Sequence, residues 1–376
     1  MSVAVESRTA ALFRPLQLKQ LTLANRIVMA PMTRSKSPRG VPGENVAAYY
    51  RRRAEGGVGL IMTEGTYVPH PGAGAYPDVP HFYGDEALAG WKRVAEEVHA
   101  AGGRIFPQLW HCGLVPVGGK LNPDAVGPSG FLKPGVKATD PARCGEPMTQ
   151  ADIDRVVRAF GEAAASAQRL GFDGVEIHGA HGYLLDQFFW EGTNQRTDIY
   201  GGGRLVDRTR FAVEVIREIR RNVGSDFPVC QRFSQWKLQD YTARLAQTPN
   251  ELEQFLAPLV EAGVDLFHCS QRRFWEPEFE GSDLNLAGWT KKLTGRPTIT
   301  VGSVTLSQEF TRSFGIAETA AVTGIGELLD RLERDEFDLV AVGRSLIVNP
   351  AWPAMVRRGA IQELRPFQRD VLAELV

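Results

Sequence analysis

Short runs of apolar, largely β-branched residues recur along the chain at 26–30, 58–63, 104–109, 174–178, 228–232, 265–270, 298–301 and 339–342. Runs this short, bounded by polar and turn-forming residues, predict buried strands rather than helices. Between them, apolar residues return every three or four positions, as on one face of a helix. One such stretch opens at Thr149, a capping residue, and then sets Ile153, Val156, Val157 and Phe160 in a stripe. Alternating strand and helix calls for parallel pairing through right-handed crossovers, and eight strands predict an α/β fold closed as a TIM (β/α)8 barrel.

Two connections break the rhythm. Residues 112–147, after the third strand, are rich in Gly and Pro with little helical pattern, and predict a lid insertion over the barrel mouth. Residues 271–289, after the sixth strand, form a second long loop whose Phe274, Trp275 and Phe279 serve either as lid contacts for a substrate or as packing beneath the loop. No internal repeat, low-complexity tract or linker divides the chain, so residues 1–376 are expected to form a single domain.

Charge narrows the ligand. With 43 Lys and Arg against 44 Asp and Glu, the net charge of −1 offers no field to gather nucleic acid or an acidic membrane, so the partner is expected to be a small molecule. No secretory leader or membrane-spanning run is apparent, and a soluble cytoplasmic protein is expected. Cys112, Cys144, Cys230 and Cys269 lack the spacing of a zinc or iron–sulfur site, and the two in predicted strands, Cys230 and Cys269, read as reduced buried thiols.

In such a barrel the active site lies at the carboxyl ends of the strands, so these ends are read together. The fourth strand runs into His178-Gly-Ala-His181-Gly-Tyr183, two imidazoles and a phenol able to donate hydrogen bonds and a proton to one small site. Gly302-Ser303 and Gly343-Arg344 follow the seventh and eighth strands, where backbone N–H groups and a guanidinium suit a phosphate. Gln108 can both donate to and accept from a flavin's pyrimidine edge, Arg232 can stabilise negative charge on a reduced ring, and Thr33 can reach a ring carbonyl. Against this, Gln108 and Thr33 could satisfy backbone groups, and Arg232 could pair with Glu176.

Several motifs together resemble the Old Yellow Enzyme family of FMN-dependent ene-reductases. These are Ala30-Pro31-Met32-Thr33-Arg34, Gln108-Leu-Trp-His111, the run from His178 to Phe189, Asn194-Gln-Arg-Thr-Asp-Ile-Tyr-Gly-Gly202, Gly343-Arg344 and Asn349-Pro350. The likeness spans residues 12–350. It implies a TIM barrel, bound FMN, and NAD(P)H as a diffusing reductant in a ping-pong cycle. By the same resemblance Pro31, Met32, Thr33, Gly65, Gln108 and Arg232 contact the flavin ring, and Gly302, Ser303, Gly343 and Arg344 the phosphate. His178 and His181 hold the carbonyl oxygen of an activated alkene, stabilising the enolate-like transition state formed as reduced FMN gives hydride, and Tyr183 supplies the proton. The chain departs from the family at Thr33, where some members have Cys, at Leu114, where many have Arg, and near the C-terminus, which lacks a tyrosine over the site.

Three rivals compete with this reading. A metal-dependent hydrolase would use His178, His181, His111 and His268 as ligands, but carboxylate partners are missing at the strand ends, and no metal is expected. A non-catalytic flavin carrier would have no use for Tyr183. Larger flavin reductases add an iron–sulfur site and a second nucleotide fold, whereas here the cysteines are scattered and Gly72-Ala-Gly-Ala-Tyr-Pro77 lacks the third glycine of a dinucleotide fingerprint. Physiological substrate, oligomeric state and the choice of NADPH or NADH are left open; Arg143, Arg272 and Arg273 are candidates for a 2′-phosphate contact.

Overall fold

In a computed structural model of the chain, residues 8–131, 145–309 and 319–376 are described. A hairpin of β1 (Leu16–Leu18) and β2 (Leu21–Leu23) precedes the barrel. The eight strands of the barrel are β3 (Ile27–Met29), β4 (Leu60–Tyr67), β5 (Ile105–Trp110), β6 (Val175–His178), β7 (Val229–Ser234), β8 (Leu266–Ser270), β9 (Thr298–Val301) and β10 (Leu339–Val342). They pair in parallel in sequence order, and β10 returns to β3 to close the ring. Each predicted run is thus a barrel strand.

Alternation along the strands builds two separate cores. Side chains at Ile27, Met29, Ile61, Ile105, Leu109, Val175, Ile177 and Val229 face outward and join the helices in the larger cluster. The residues between them point inward, where Val28, Leu60, Met62, Phe106, Cys230, Leu266, Ile299, Leu339 and Ala341 fill the barrel. Leu18 and Leu23 of the hairpin belong to that same inner cluster, so the hairpin plugs the amino-terminal end of the barrel. Higher up, the inward positions turn polar, with Gln108, Glu176, Arg232, His268 and Ser270 all buried. An apolar floor with a polar upper layer directs any ligand to the carboxyl-terminal mouth.

The helix Gln150–Arg169 begins with the expected cap: Thr149 Oγ1 accepts from the Asp152 amide, and Asp152 accepts from the Thr149 amide in return. Ile153, Val156, Val157 and Phe160 are its buried face. In the segment 112–147, residues 132–144, with Arg143 and Cys144, lie outside the described residues. Its described part packs on the loop after β4, where Asn122 Nδ2 donates to the carbonyls of Pro71 (3.0 Å) and Gly74 (2.8 Å), and it contributes no wall to the barrel-mouth cavity. After β8, the helix Leu286–Thr294 starts inside the stretch read as loop, capped by Asn285. Phe274 and Phe279 are buried, the latter edge-on to Trp289, so these aromatics are packing; Gln271 and Arg272, at the start of the same loop, do line the cavity.

Candidate active site

A cavity of about 470 Å³ opens at the carboxyl ends of the strands. Pro31, Met32, Thr33, Gln108, His178, His181, Tyr183, Arg232, Gly302, Ser303, Gly343 and Arg344 all line it, so twelve of the thirteen residues singled out from sequence come together. Gly65 is the exception. A side chain at that position would collide with the Trp110 ring, so Gly65 clears space for a residue that itself lines the cavity.

The chain turns sharply after β6, with His181 at φ 65° and Gly182 at φ 80°, a left-handed pair that costs a non-glycine residue conformational energy. Three contacts hold this turn. The His181 amide donates to Ser234 Oγ at 3.0 Å, the Gly182 amide donates to Asp186 Oδ2 at 2.7 Å, and Lys237 Nζ donates to Asp186 Oδ1 at 2.6 Å, with Lys237 and Asp186 wholly buried. The strain is offset by an internal ion pair, and the result is a tight ring cluster. His178 lies edge-on to His181 (5.2 Å between centroids) and to Tyr183 (4.9 Å), and its other neighbour is the stacked Trp110 ring at 5.7 Å.

Protonation follows from burial. Burial, with the Arg232 guanidinium nearby, lowers His178 to about 3, and the same two influences hold His181 well below the ordinary imidazole value. Both rings are neutral near pH 7. His178 Nδ1 accepts from the Ala180 amide at 3.4 Å, which leaves Nε2 as the protonated donor. His181 Nε2 is paired with Ser270 Oγ at 2.8 Å, so its share in holding a ligand oxygen requires that hydroxyl to yield or the other ring nitrogen to serve. Burial and the Tyr76 phenol raise Tyr183 well above its ordinary value, and the two hydroxyls are 3.1 Å apart. Tyr183 is a protonated acid with a second phenol behind it.

Beneath the cluster, Gln108 Nε2 donates to Glu176 Oε1 at 2.8 Å, and His268 Nδ1 meets Glu176 Oε2 at 2.6 Å. Burial alone would push Glu176 up; the His268 ring, Arg232 and Gln108 outweigh it and hold the carboxyl below its usual range. Gln108 therefore does satisfy an internal group, through a carboxylate and with its amide nitrogen alone. Arg232 Nη2 reaches Ser270 Oγ at 3.4 Å, whereas its Nε is buried with no partner among the described residues. A buried guanidinium N–H left without an acceptor beside a cavity fits a ligand that carries an acceptor there, as the N1 and O2 edge of a flavin does.

At the far end, Gly302 sits at φ 143° with the 271–273 backbone so close that a side chain would clash, and Gly343 caps the short helix Arg344–Val348. Ser303 Oγ is committed to the carbonyls of Arg272 (3.1 Å) and Gln308 (3.2 Å), so a phosphate contact from this residue would have to come from its amide. Arg344 Nη1 donates to the Glu309 carbonyl at 3.2 Å, and burial lowers its guanidinium to about 10, a cost that a bound phosphate would relieve.

Sequence reasoning passed over Ser270, Trp236, Tyr241 and Tyr76 in the cavity wall. Ser270 ends β8, so the strand-end rule was enough to find it. The others stand on loops, where no periodicity marks them. Glu64 was also missed. It accepts from the amides of Arg34 (2.8 Å) and Ser35 (3.1 Å), anchoring the turn that carries Pro31–Met32–Thr33. Among the described residues no three His, Cys, Asp or Glu side chains are grouped as metal ligands, and His111 is hydrogen-bonded to His70 at 3.0 Å. No helix among them is long and apolar enough to cross a membrane.

Residues 11–363 match the model of the NADH:flavin oxidoreductase / NADH oxidase family. An NADH oxidase of Thermoanaerobacter brockii is 36% identical over 368 residues, covering 94% of this chain, which spans only 52% of that relative's length. A 12-oxophytodienoate reductase 7 of Oryza sativa subsp. japonica is 34% identical over 91% of this chain and 86% of its own. The structure of morphinone reductase in complex with tetrahydroNAD superimposes with a TM-score of 0.76 at 31% identity, covering 96% of this chain and 93% of that one.

Proposed function

Because the chain belongs to the NADH:flavin oxidoreductase / NADH oxidase family, an FMN-dependent group of NAD(P)H oxidoreductases whose motifs it shares with the Old Yellow Enzymes, we propose that it reduces the C=C bond of α,β-unsaturated carbonyl or nitro compounds. We read it as one FMN-binding unit working in a ping-pong cycle. The relatives support the substrate class by name, one being an oxophytodienoate reductase and another a morphinone reductase. The observation that carries the reading is the convergence of His178, His181 and Tyr183 on one cavity with the unpartnered Nε of Arg232.

The residues divide into a holder and a reaction face. Pro31, Met32, Thr33, Gln108 and Arg232 would hold the flavin ring, Gly302, Ser303, Gly343 and Arg344 the phosphate, and Gly65 would act one step removed by seating Trp110. The chemistry supplied by bound FMN is hydride transfer, taken from NAD(P)H and given to the alkene's β-carbon. The carbonyl or nitro oxygen of the substrate is taken by N–H donors of His178 and His181. As neutral rings they can donate hydrogen bonds without carrying a charge that would be expensive to bury, and they stabilise the oxygen more as negative charge grows on it. Tyr183 then gives its hydroxyl proton to the α-carbon, and Tyr76, 3.1 Å behind, can return a proton from solvent.

Anaerobic half-reactions test this. NADH or NADPH should bleach the flavin of the holoenzyme, and 2-cyclohexenone should restore its colour. Tyr183→Phe should leave bleaching intact and slow recolouring by a weakly activated enone on the order of 100-fold. Unchanged recolouring would remove Tyr183 from its role; a purified protein that takes up no FMN would sink the whole reading.

A further inference from the structure

Among the described residues, the cavity wall carries three guanidiniums, of Arg232, Arg272 and Arg344, and no carboxylate, in a chain whose net charge is only −1. Arg232 and Arg344 have assigned work at the flavin ring and phosphate. Arg272 has none. Its side chain is exposed at the cavity mouth, and its guanidinium has no hydrogen-bond or ion-pair partner among the described residues. The neighbouring Arg273, by contrast, is engaged by Glu276 at 2.6 Å.

Arg272 is nevertheless positioned. Its guanidinium lies over the Tyr241 ring at 5.6 Å, Tyr241 stacks on Trp236 at 4.8 Å and 30°, and Trp236 stacks on His181 at 4.5 Å and 23°. All four residues line the cavity, so a continuous ladder of flat groups runs from the oxygen-binding histidine out to a free cation. Such stacking holds a guanidinium in place while leaving its N–H edge open. The nearby acid, Glu278, does not line the cavity and is taken by Arg244 (2.6 Å) and Gln235 (2.9 Å).

We propose that Arg272, seated on the Tyr241–Trp236 ladder, binds a phosphate of the nicotinamide donor while the donor's nicotinamide ring occupies the His178–His181 end of the same cavity. The inference rests on the functional reading above. A nicotinamide carries its phosphates outward from the ring, and both the bridging diphosphate and the 2′-phosphate of NADPH offer the anionic oxygens that a guanidinium fork recognises. The enone, which need carry no charge, makes no such demand. One cavity thereby distinguishes two successive ligands by what protrudes from it.

Stopped-flow reduction of the holoenzyme by NADPH, NADH and reduced nicotinamide mononucleotide gives the Kd of each donor. Calorimetric titration with 2′,5′-ADP gives a binding readout independent of turnover. Arg272→Gln should raise the donor Kd about tenfold or more, and Arg272→Lys less, since Lys keeps the charge but loses the fork. In the wild type the donor Kd should rise with added salt more steeply than in Arg272→Gln. A loss confined to NADPH and 2′,5′-ADP assigns the 2′-phosphate; a loss shared with NADH assigns the diphosphate. Unchanged donor Kd values in Arg272→Gln would overturn the inference. So would an equal weakening of 2-cyclohexenone, which would make Arg272 a packing element of the wall. A wild-type flavin that no nicotinamide reduces would count against the functional reading, whereas normal reduction with an indifferent Arg272→Gln counts against this inference alone.

Discussion

At the scale of single residues, the site depends on keeping two imidazoles neutral in a buried, cationic setting. His178 is lowered to about 3 by burial and then by Arg232, so over the physiological range it donates through Nε2 without needing a proton from solvent. The oxidative half-reaction should therefore show no limb near pH 6.5, the ordinary imidazole value. Stability carries the same signature with a definite sign. Between pH 6.5 and about 3 the unfolded chain protonates this ring and the folded one does not, so the contribution of His178 is present above pH 6.5 and is lost as the pH falls. Comparing the wild type with His178→Asn in denaturant titrations, the stability difference should shift against the wild type by roughly 1 kcal/mol between pH 7.5 and 5.5. A pH-independent difference would mean that His178 takes up its proton in the fold as readily as in the unfolded chain. The residue types and their strand-end position were legible in the sequence; the neutrality was not, because it depends on what closes around the ring.

At the scale of elements, the turn after β6 shows how much positioning lies outside the motif. His-Gly-Ala-His-Gly-Tyr reads as a cluster, yet its left-handed backbone at His181 and Gly182 is kept by Asp186 and by Lys237, which is 51 positions further along the chain. A Lys in the loop after a strand looks like a solvated charge in sequence, and only the packing of β7 against β6 buries it. Lys237→Met should cost about 3–5 kcal/mol, because it strands the Asp186 carboxylate without its counter-charge. The double change Lys237→Met with Asp186→Asn should recover part of that loss. Thermal unfolding of these two variants beside the wild type checks this, and a single variant as stable as wild type would show that the pair does not hold the turn. The long loop after β8 teaches the converse. Its aromatics drew notice as lid candidates, but Phe274 and Phe279 went to the core, and the polar Arg272 beside them reached the cavity.

At the scale of the whole molecule, the barrel separates stability from chemistry along its axis. Its floor is apolar and sealed by the β1–β2 hairpin, which was not legible because two three-residue strands leave too short a pattern to register. Leu23, fully buried against the barrel interior, is far from the mouth. Leu23→Ala should destabilise the fold by about 2–5 kcal/mol while leaving the flavin absorbance and donor Kd of the folded enzyme unaltered. A shifted flavin spectrum would show that floor and mouth are coupled. The sequence by itself determined the eight strands, their parallel order and twelve of the residues at the mouth, because hydrophobic periodicity and strand ends are local properties that a barrel turns into a ring. Tertiary structure alone decided which of these groups are charged, which buried ion pair holds the histidine turn, that Gly65 serves Trp110, and that Arg272 is the arginine left to meet a ligand. Each of these depends on a neighbour distant in sequence, and burial and pairing exist only once the ring has closed.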